Sequence, residues 1–131
     1  IAQPGLANGS RCEALLGVGH LHRGTAWSPS RPFSWGHDYT HFFYTLSPKA
    51  PYELLATSAE FCVASSQRDD DCESVQFVMS TVIDGVEDML SMAWGVNDCE
   101  ARLGAIPMSR VWAMLTPIEG SSAACRVPQN V

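Results

Sequence analysis

The stretch from Leu90 to Ile106 constrains the fold of this chain more than any other. Ser91, Ala93 and Gly95 alternate with Met92, Trp94 and Val96, the period of two expected of a strand with two unlike faces. Gly95, Asn97 and Asp98 then break the pattern, because Gly and Asn tolerate positive φ and Asx side chains bond their own backbone. Arg102 to Ile106 resumes an apolar strand, so the whole reads as two strands around a tight polar turn. A carboxylate at such a strand end, beside a glycine that lets another group approach closely, marks Asp98 as a candidate site residue. The competing reading is a turn with a capping Asp.

The rest of the chain repeats this grammar. Ala14 to His22, Asp38 to Leu46, Tyr52 to Thr57 and Ser74 to Ile83 are strand segments, rich in β-branched and aromatic residues. Ala59 to Val63 continues the third of these after a bend. Ser47 to Pro51 is a turn, since proline fixes φ and cannot donate to a ladder. Asp84-Gly85 is a hairpin signal, lengthened by Val86-Glu87-Asp88. Arg23 to Gly36 is a long loop carrying Trp27, Phe33 and Trp35. Ser109 to Leu115 is the one helical segment, with Ser109 as its expected cap and Val111, Trp112 and Leu115 at helical spacing. About six short strands joined by Gly/Pro turns predict an all-β antiparallel meander of sandwich, barrel or propeller type, with one short late helix. Three parts follow: an irregular lead-in over 1–12, a β domain over 13–116 and a loose tail over 117–131. Trp94 and Trp112 are assigned to the core.

The 131 residues suit one small domain or a piece of a larger one, and 46% apolar residues are enough for a core. A formal charge of -6, with the basic residues scattered singly, argues against nucleic acid and against anionic membrane surfaces. No apolar run approaches the ~20 residues of a membrane helix. The chain opens on Ile1 with no leader pattern, so it is expected to be a fragment or to have lost a leader. Five cysteines leave one over, and none form a C-x-x-C pair, which argues against a zinc ribbon. Cys62 and Cys72 bracket the polar loop Val63 to Asp71 and are expected to form a disulfide; Cys12, Cys99 and Cys125 are left without assigned partners. Asn8-Gly9-Ser10 is a glycosylation sequon. Together these features point to an oxidising, secretory compartment, the Golgi lumen or the cell exterior.

Gln67 to Asp71 reads as a solvated loop tip, since it lacks the alternating acidic spacing of a calcium loop. All four histidines fall between positions 20 and 41. His20 and His22 share a strand face, and His37 and His41 share one by the same rule. Three readings stand side by side: a metal site built on the His-x-His pair, a sugar or phosphate pocket with neutral His on hydroxyls and Arg23 on an anion, and ordinary strand-surface histidines. Trp27, Trp35 and Tyr39 favour the pocket, because flat rings stack on sugar faces. Ser or Cys nucleophile chemistry has no motif here. Asp38, Glu60, Asp98 and Glu100 are acidic candidates for glycoside chemistry, with no pairing legible from spacing.

Five segments in order, Gly19-His20-Leu21-His22-Arg23, Tyr39-Thr40-His41-Phe42-Phe43-Tyr44, Ser58-Ala59-Glu60-Phe61, Val75-Gln76-Phe77 and Trp94-Gly95-Val96-Asn97-Asp98-Cys99-Glu100-Ala101, resemble a run in five-bladed β-propellers. Those propellers are of the family-130 glycoside hydrolase type, the mannoside phosphorylases and mannosidases. The match is closer to propeller-like domains fused to glycosyltransferases. It covers about residues 9 to 116. The resemblance implies about two blades from the C-terminal part of a propeller, with His20, His22, Arg23, His41 and Asp98 lining a funnel that holds a glycan or sugar phosphate. In the phosphorylases a Tyr-His-Gly and a Gly-Ala-Ala-Asp turn occupy these places; here Gly19 stands where the Tyr would be, and Gly95-Val96-Asn97-Asp98 replaces the turn. The family's general-acid Asp belongs to an earlier blade and has no counterpart in this chain. The implied partners are further blades and a glycosyltransferase domain, and the implied activity is glycan synthesis or cleavage in the whole protein, with no metal and no cofactor. A non-catalytic sugar-binding module and a His-cluster metalloprotein are the alternatives.

Overall fold

The computed structural model describes residues 2–3, 12–24, 37–65 and 75–121, and the statements below concern those residues. They form nine strands, β1 (Ala2–Gln3), β2 (Cys12–Glu13), β3 (Leu15–Gly24), β4 (His37–Leu46), β5 (Leu54–Ser58), β6 (Gln76–Asp84), β7 (Met89–Val96), β8 (Glu100–Pro107) and β9 (Leu115–Pro117), with one helix, α1 (Met108–Met114), before β9. All pairings are antiparallel. A four-stranded sheet runs β3-β4-β5-β9, a three-stranded sheet runs β6-β7-β8, and β1 and β2 form a short pair. The chain is therefore mostly β, as its alternation predicts.

Turn chemistry sets the hairpins. At the end of β6 the Asp84 carboxylate accepts the N–H groups of Val86 and Glu87, at 2.8 and 3.1 Å. Those two donors, Glu87 first, hold its carboxyl below the ordinary range. Asp88 completes the turn at φ 52°. The helix differs in detail from its prediction. It starts at Met108 behind Pro107, with no side-chain cap, so Ser109 sits inside the first turn instead of capping it. Proline suits that place because it has no N–H to leave unpaired, and the Met108 N–H is satisfied by the Asp88 carbonyl at 2.9 Å.

The tail boundary needs correction too. Thr116 and Pro117 belong to β9, the Ile118 N–H donates to the Leu55 carbonyl at 2.9 Å, and Ser121 Oγ donates to the carbonyl of Ile118. The backbone is thus pinned to β5 through residue 121, and a loose tail cannot begin at 117. Residues 122–131, the loop from 25 to 36, the acidic run, Asn8 and Cys72 lie outside the described residues. Cys62 is disulfide-bonded, and Cys72, its expected partner, is among those undescribed positions. Cys99 is a free, exposed thiol.

Two clusters hold the sheets together. Phe43, Ala56, Leu90, Met108, Val111, Trp112 and Leu115 form the larger one, where α1 closes over both sheets. Val63, Val78, Trp94 and Val96 form the smaller one, joined to the first through Val18, Phe61 and Met92. Both tryptophans assigned to the core are buried. Trp94 needs Gly104 diagonally across from it on β8: a Cβ there would stand 2.7 Å from the indole ring.

Candidate functional site

Two of the histidines, His20 and His41, meet where β6 reaches the four-stranded sheet. Register pairs His20 on β3 with His41 on β4, so both side chains leave the same face side by side. Their rings are 4.8 Å apart in an edge-on arrangement, and Phe77 stacks on His20 at 3.9 Å, nearly parallel. Both imidazoles reach one residue of β6. His20 Nε2 donates to the Val78 carbonyl at 3.1 Å, and His41 Nε2 accepts the Val78 N–H at 3.1 Å. β6 is an edge strand of its sheet, and Val78 lies at a bulge that leaves Met79 without a ladder partner. Two side chains therefore do what a neighbouring strand would do for those backbone groups.

His41 is fully buried. Its pKa falls from 6.5 to about 4, chiefly because burial disfavours the imidazolium, then because His20 adds a like charge; the Phe61 backbone works the other way. A neutral ring that accepts at Nε2 carries its proton on Nδ1, and this Nδ1 has no hydrogen-bond partner within the described structure.

His22 and Asp98 have different surroundings. His22 is exposed near the end of β3 and stacks on Tyr39 at 4.8 Å. Arg23 continues the same strand by its backbone, and its side chain lies outside the described atoms. Asp98 sits in the β7–β8 turn, where Asn97 and Asp98 take φ 51° and 55°. Two successive left-handed residues make the tight turn that suits a hairpin, and Asx residues tolerate it. The turn is fastened by other atoms: Cys99 N–H donates to the Val96 carbonyl at 3.2 Å, Asn97 N–H to the Val75 carbonyl at 2.7 Å, and Val75 N–H to Asn97 Oδ1 at 3.3 Å. Asn97 is the stapling Asx. The exposed Asp98 carboxylate has no hydrogen bond or ion pair among the described residues. Nor does Gly95 admit a close neighbour, since a Cβ there would meet only the Glu100 carbonyl at 3.8 Å.

The route of the chain brings these groups to one end. Phe61 bridges His41 in antiparallel sense, so the following residues run towards the Tyr39 end of β4. There the Val63 N–H donates to Gln76 Oε1 at 2.6 Å and Trp94 Nε1 to the Ala64 carbonyl at 2.8 Å. Gln76 pairs with Val96, the residue before the Asn97–Asp98 turn. The His22–Tyr39 stack and the Asp98 turn thus share an end of the two sheets. Of the five predicted site residues, the structure sets His20 and His41 together in the interior and leaves His22 and Asp98 on the surface. The contacts to Val78 have no signature in the sequence, because they depend on which strand edge packs against β3 and β4.

Glu60, another acidic candidate, accepts from Thr40 Oγ1, and Glu100 pairs with Arg102 at 3.1 Å. Among the described residues no group of three or more His, Cys, Asp and Glu is arranged to hold a metal ion. No helix among them is long and apolar enough to cross a membrane. No protein-family model, curated protein or solved structure matches the chain.

Proposed function

We propose that this chain is a glycan-binding portion of a carbohydrate-active β-propeller, carrying two neighbouring blades and part of the rim of a sugar pocket. The topology is compatible with that reading. β3-β4-β5 and β6-β7-β8 are sequential antiparallel meanders, and the first strands of the two sheets meet at the histidine contact. The observation that carries the proposal is Asp98. Its turn is secured by Asn97 and by backbone bonds, so its carboxylate has no structural task there. A carboxylate at the same end of the sheets as an exposed imidazole and a phenol ring suits the hydroxyls and the apolar face of a sugar. His20 and His41 contribute as supports for the rim; the ligand contacts are assigned to His22 and Asp98. This chain binds, and bond making or breaking belongs to the rest of the protein.

Asp98→Asn tests the assignment, because Asn keeps the left-handed backbone and removes the charge. Titration calorimetry with mannobiose and with mannose 1-phosphate should show affinity falling about tenfold or more, the worth of one charge-assisted bond. The melting temperature should stay within about 1 °C of the parent. Unchanged affinity in the variant, or no binding of either sugar by the parent chain, overturns the proposal.

A further inference from the structure

The Val78 contact is chemically asymmetric. His20 bonds as a donor to a carbonyl, and a second proton on its ring would leave that bond intact. His41 bonds as an acceptor from an N–H, and a proton on its Nε2 would set two donors against each other in a buried space. We propose that the His20–His41 clamp on Val78 is an acid-sensitive latch, which holds the β6 edge against the four-stranded sheet at neutral pH and releases it when His41 takes a proton.

Among the groups around the latch only the Phe61 backbone favours that proton, and it is outweighed by burial and by His20. From β3 the facing titratable group is His20, whose charge disfavours a second proton on His41. From β6 the neighbours are Phe77, the Val78 backbone and Gln76, none of them ionisable. From the segment after β5 the neighbour is Phe61, whose ring stands 5.8 Å from that of His41. Glu60 is turned to Thr40 Oγ1, and Thr40 projects from the opposite face of β4 to His41. On β4 itself Tyr39 shares the His41 face and stacks on His22. The burial that lowers the His41 pKa to about 4 sets the window. The folded value lies below the ordinary 6.5, so the unfolded or opened chain binds the proton more readily. Stability from this group is complete above pH 6.5 and is lost as pH falls towards 4.

Release of this contact has a local consequence. Val78 and Trp94 belong to the same small cluster, and the Trp94 indole bonds the Ala64 carbonyl. Opening the latch therefore loosens the contact on which the end carrying His22 and Asp98 depends. The inference stands apart from any sugar, since it concerns only how the two sheets are held.

Hydrogen exchange at the Val78 amide tests it directly, on the 131-residue chain and corrected for intrinsic rates. Protection should fall roughly a hundredfold between pH 7 and 4.5. In His41→Gln, where the side-chain carbonyl stands near the place of Nε2 and cannot titrate, the Val78 amide should keep flat protection over that range. Nitrogen NMR of the parent supplies a readout that does not depend on the variant folding: the His41 ring should be the Nδ1–H tautomer at pH 7, and its titration midpoint should lie near 4, where the fall in protection levels off. A His41 ring protonated at Nε2 at neutral pH, a midpoint near 6.5, or an undiminished acid transition in His41→Gln overturns the latch.

Discussion

The two sheets treat their outward faces in opposite ways. In the four-stranded sheet Phe42 and Tyr44 on β4 lie across β3, where Gly19 and Gly17 make room for them. A Cβ on either glycine would stand 2.4 Å from a ring carbon. The cross-strand rings cover the strand that lacks side chains. In the three-stranded sheet the outward positions hold Ser80 and Val82 on β6, Ser91, Ala93 and Gly95 on β7, and Ala101, Leu103 and Ala105 on β8. The one charged residue on this face is Asp84 at the end of β6, and Leu103 and Val82 are 83% and 66% exposed. The inner faces of both sheets contribute to the clusters between them. Glycine in a strand thus serves two purposes here: at 17 and 19 it accommodates a neighbour, and at 95 it accommodates nothing.

The largest expected effect tests what the inner faces share. Phe43 is buried in the main cluster under the four-stranded sheet. Phe43→Ala should cost about 3–5 kcal/mol in urea unfolding, the range of a large-to-small core change. A loss under 1 kcal/mol would mean that this cluster is not what joins the sheets.

A smaller effect sharpens the contrast between the glycines. Gly19→Ala drives a methyl into the Phe42 ring and should destabilise by about 1–2 kcal/mol as the ring swings away. Gly95→Ala meets only one carbonyl at van der Waals distance and should be neutral or stabilise by up to ~1 kcal/mol. Equal shifts in the two thermal midpoints would erase the distinction.

The smallest effect concerns the bare face. Leu103→Ser removes an apolar side chain that is already in water and should change stability by no more than about 0.5 kcal/mol. A loss of several kcal/mol would show that this face is covered in solution.

Much of the secondary structure was legible because strand alternation and turn chemistry are local. Leu90 to Ile106 announced β7, β8 and the turn between them, since Asn and Asp accept positive φ at low cost. Asp84-Gly85 marked its hairpin for a similar reason: the carboxylate bonds N–H groups two and three residues on. The helix start at Met108 was missed because Ser109 has the side chain of a cap. The competing fact is that the Asp88 carbonyl, from the β6–β7 turn, satisfies the Met108 N–H. β9 was missed because three residues give no periodicity.

The site was legible only in part. His20 and His41 could be placed on strands, and their identical face follows from register. Their roles could not be read, because a buried histidine bonding a backbone and a surface histidine bonding a ligand have the same letter. For Asp98 the sequence left a capping role open, and the rival Asx at position 97 occupies it.

What the sequence alone determined is therefore the six strands β3 to β8, the positions of the tight turns and the predominance of β structure, since each rests on contacts within a few residues. The tertiary structure alone decided that β9 returns to β5, that the β6 edge docks against β3 and β4, and that Val78 is held by two imidazoles. Those outcomes join residues 37 or more positions apart. They are selected by which apolar faces pack together and which backbone groups would otherwise be buried unpaired, and neither quantity exists until the sheets meet.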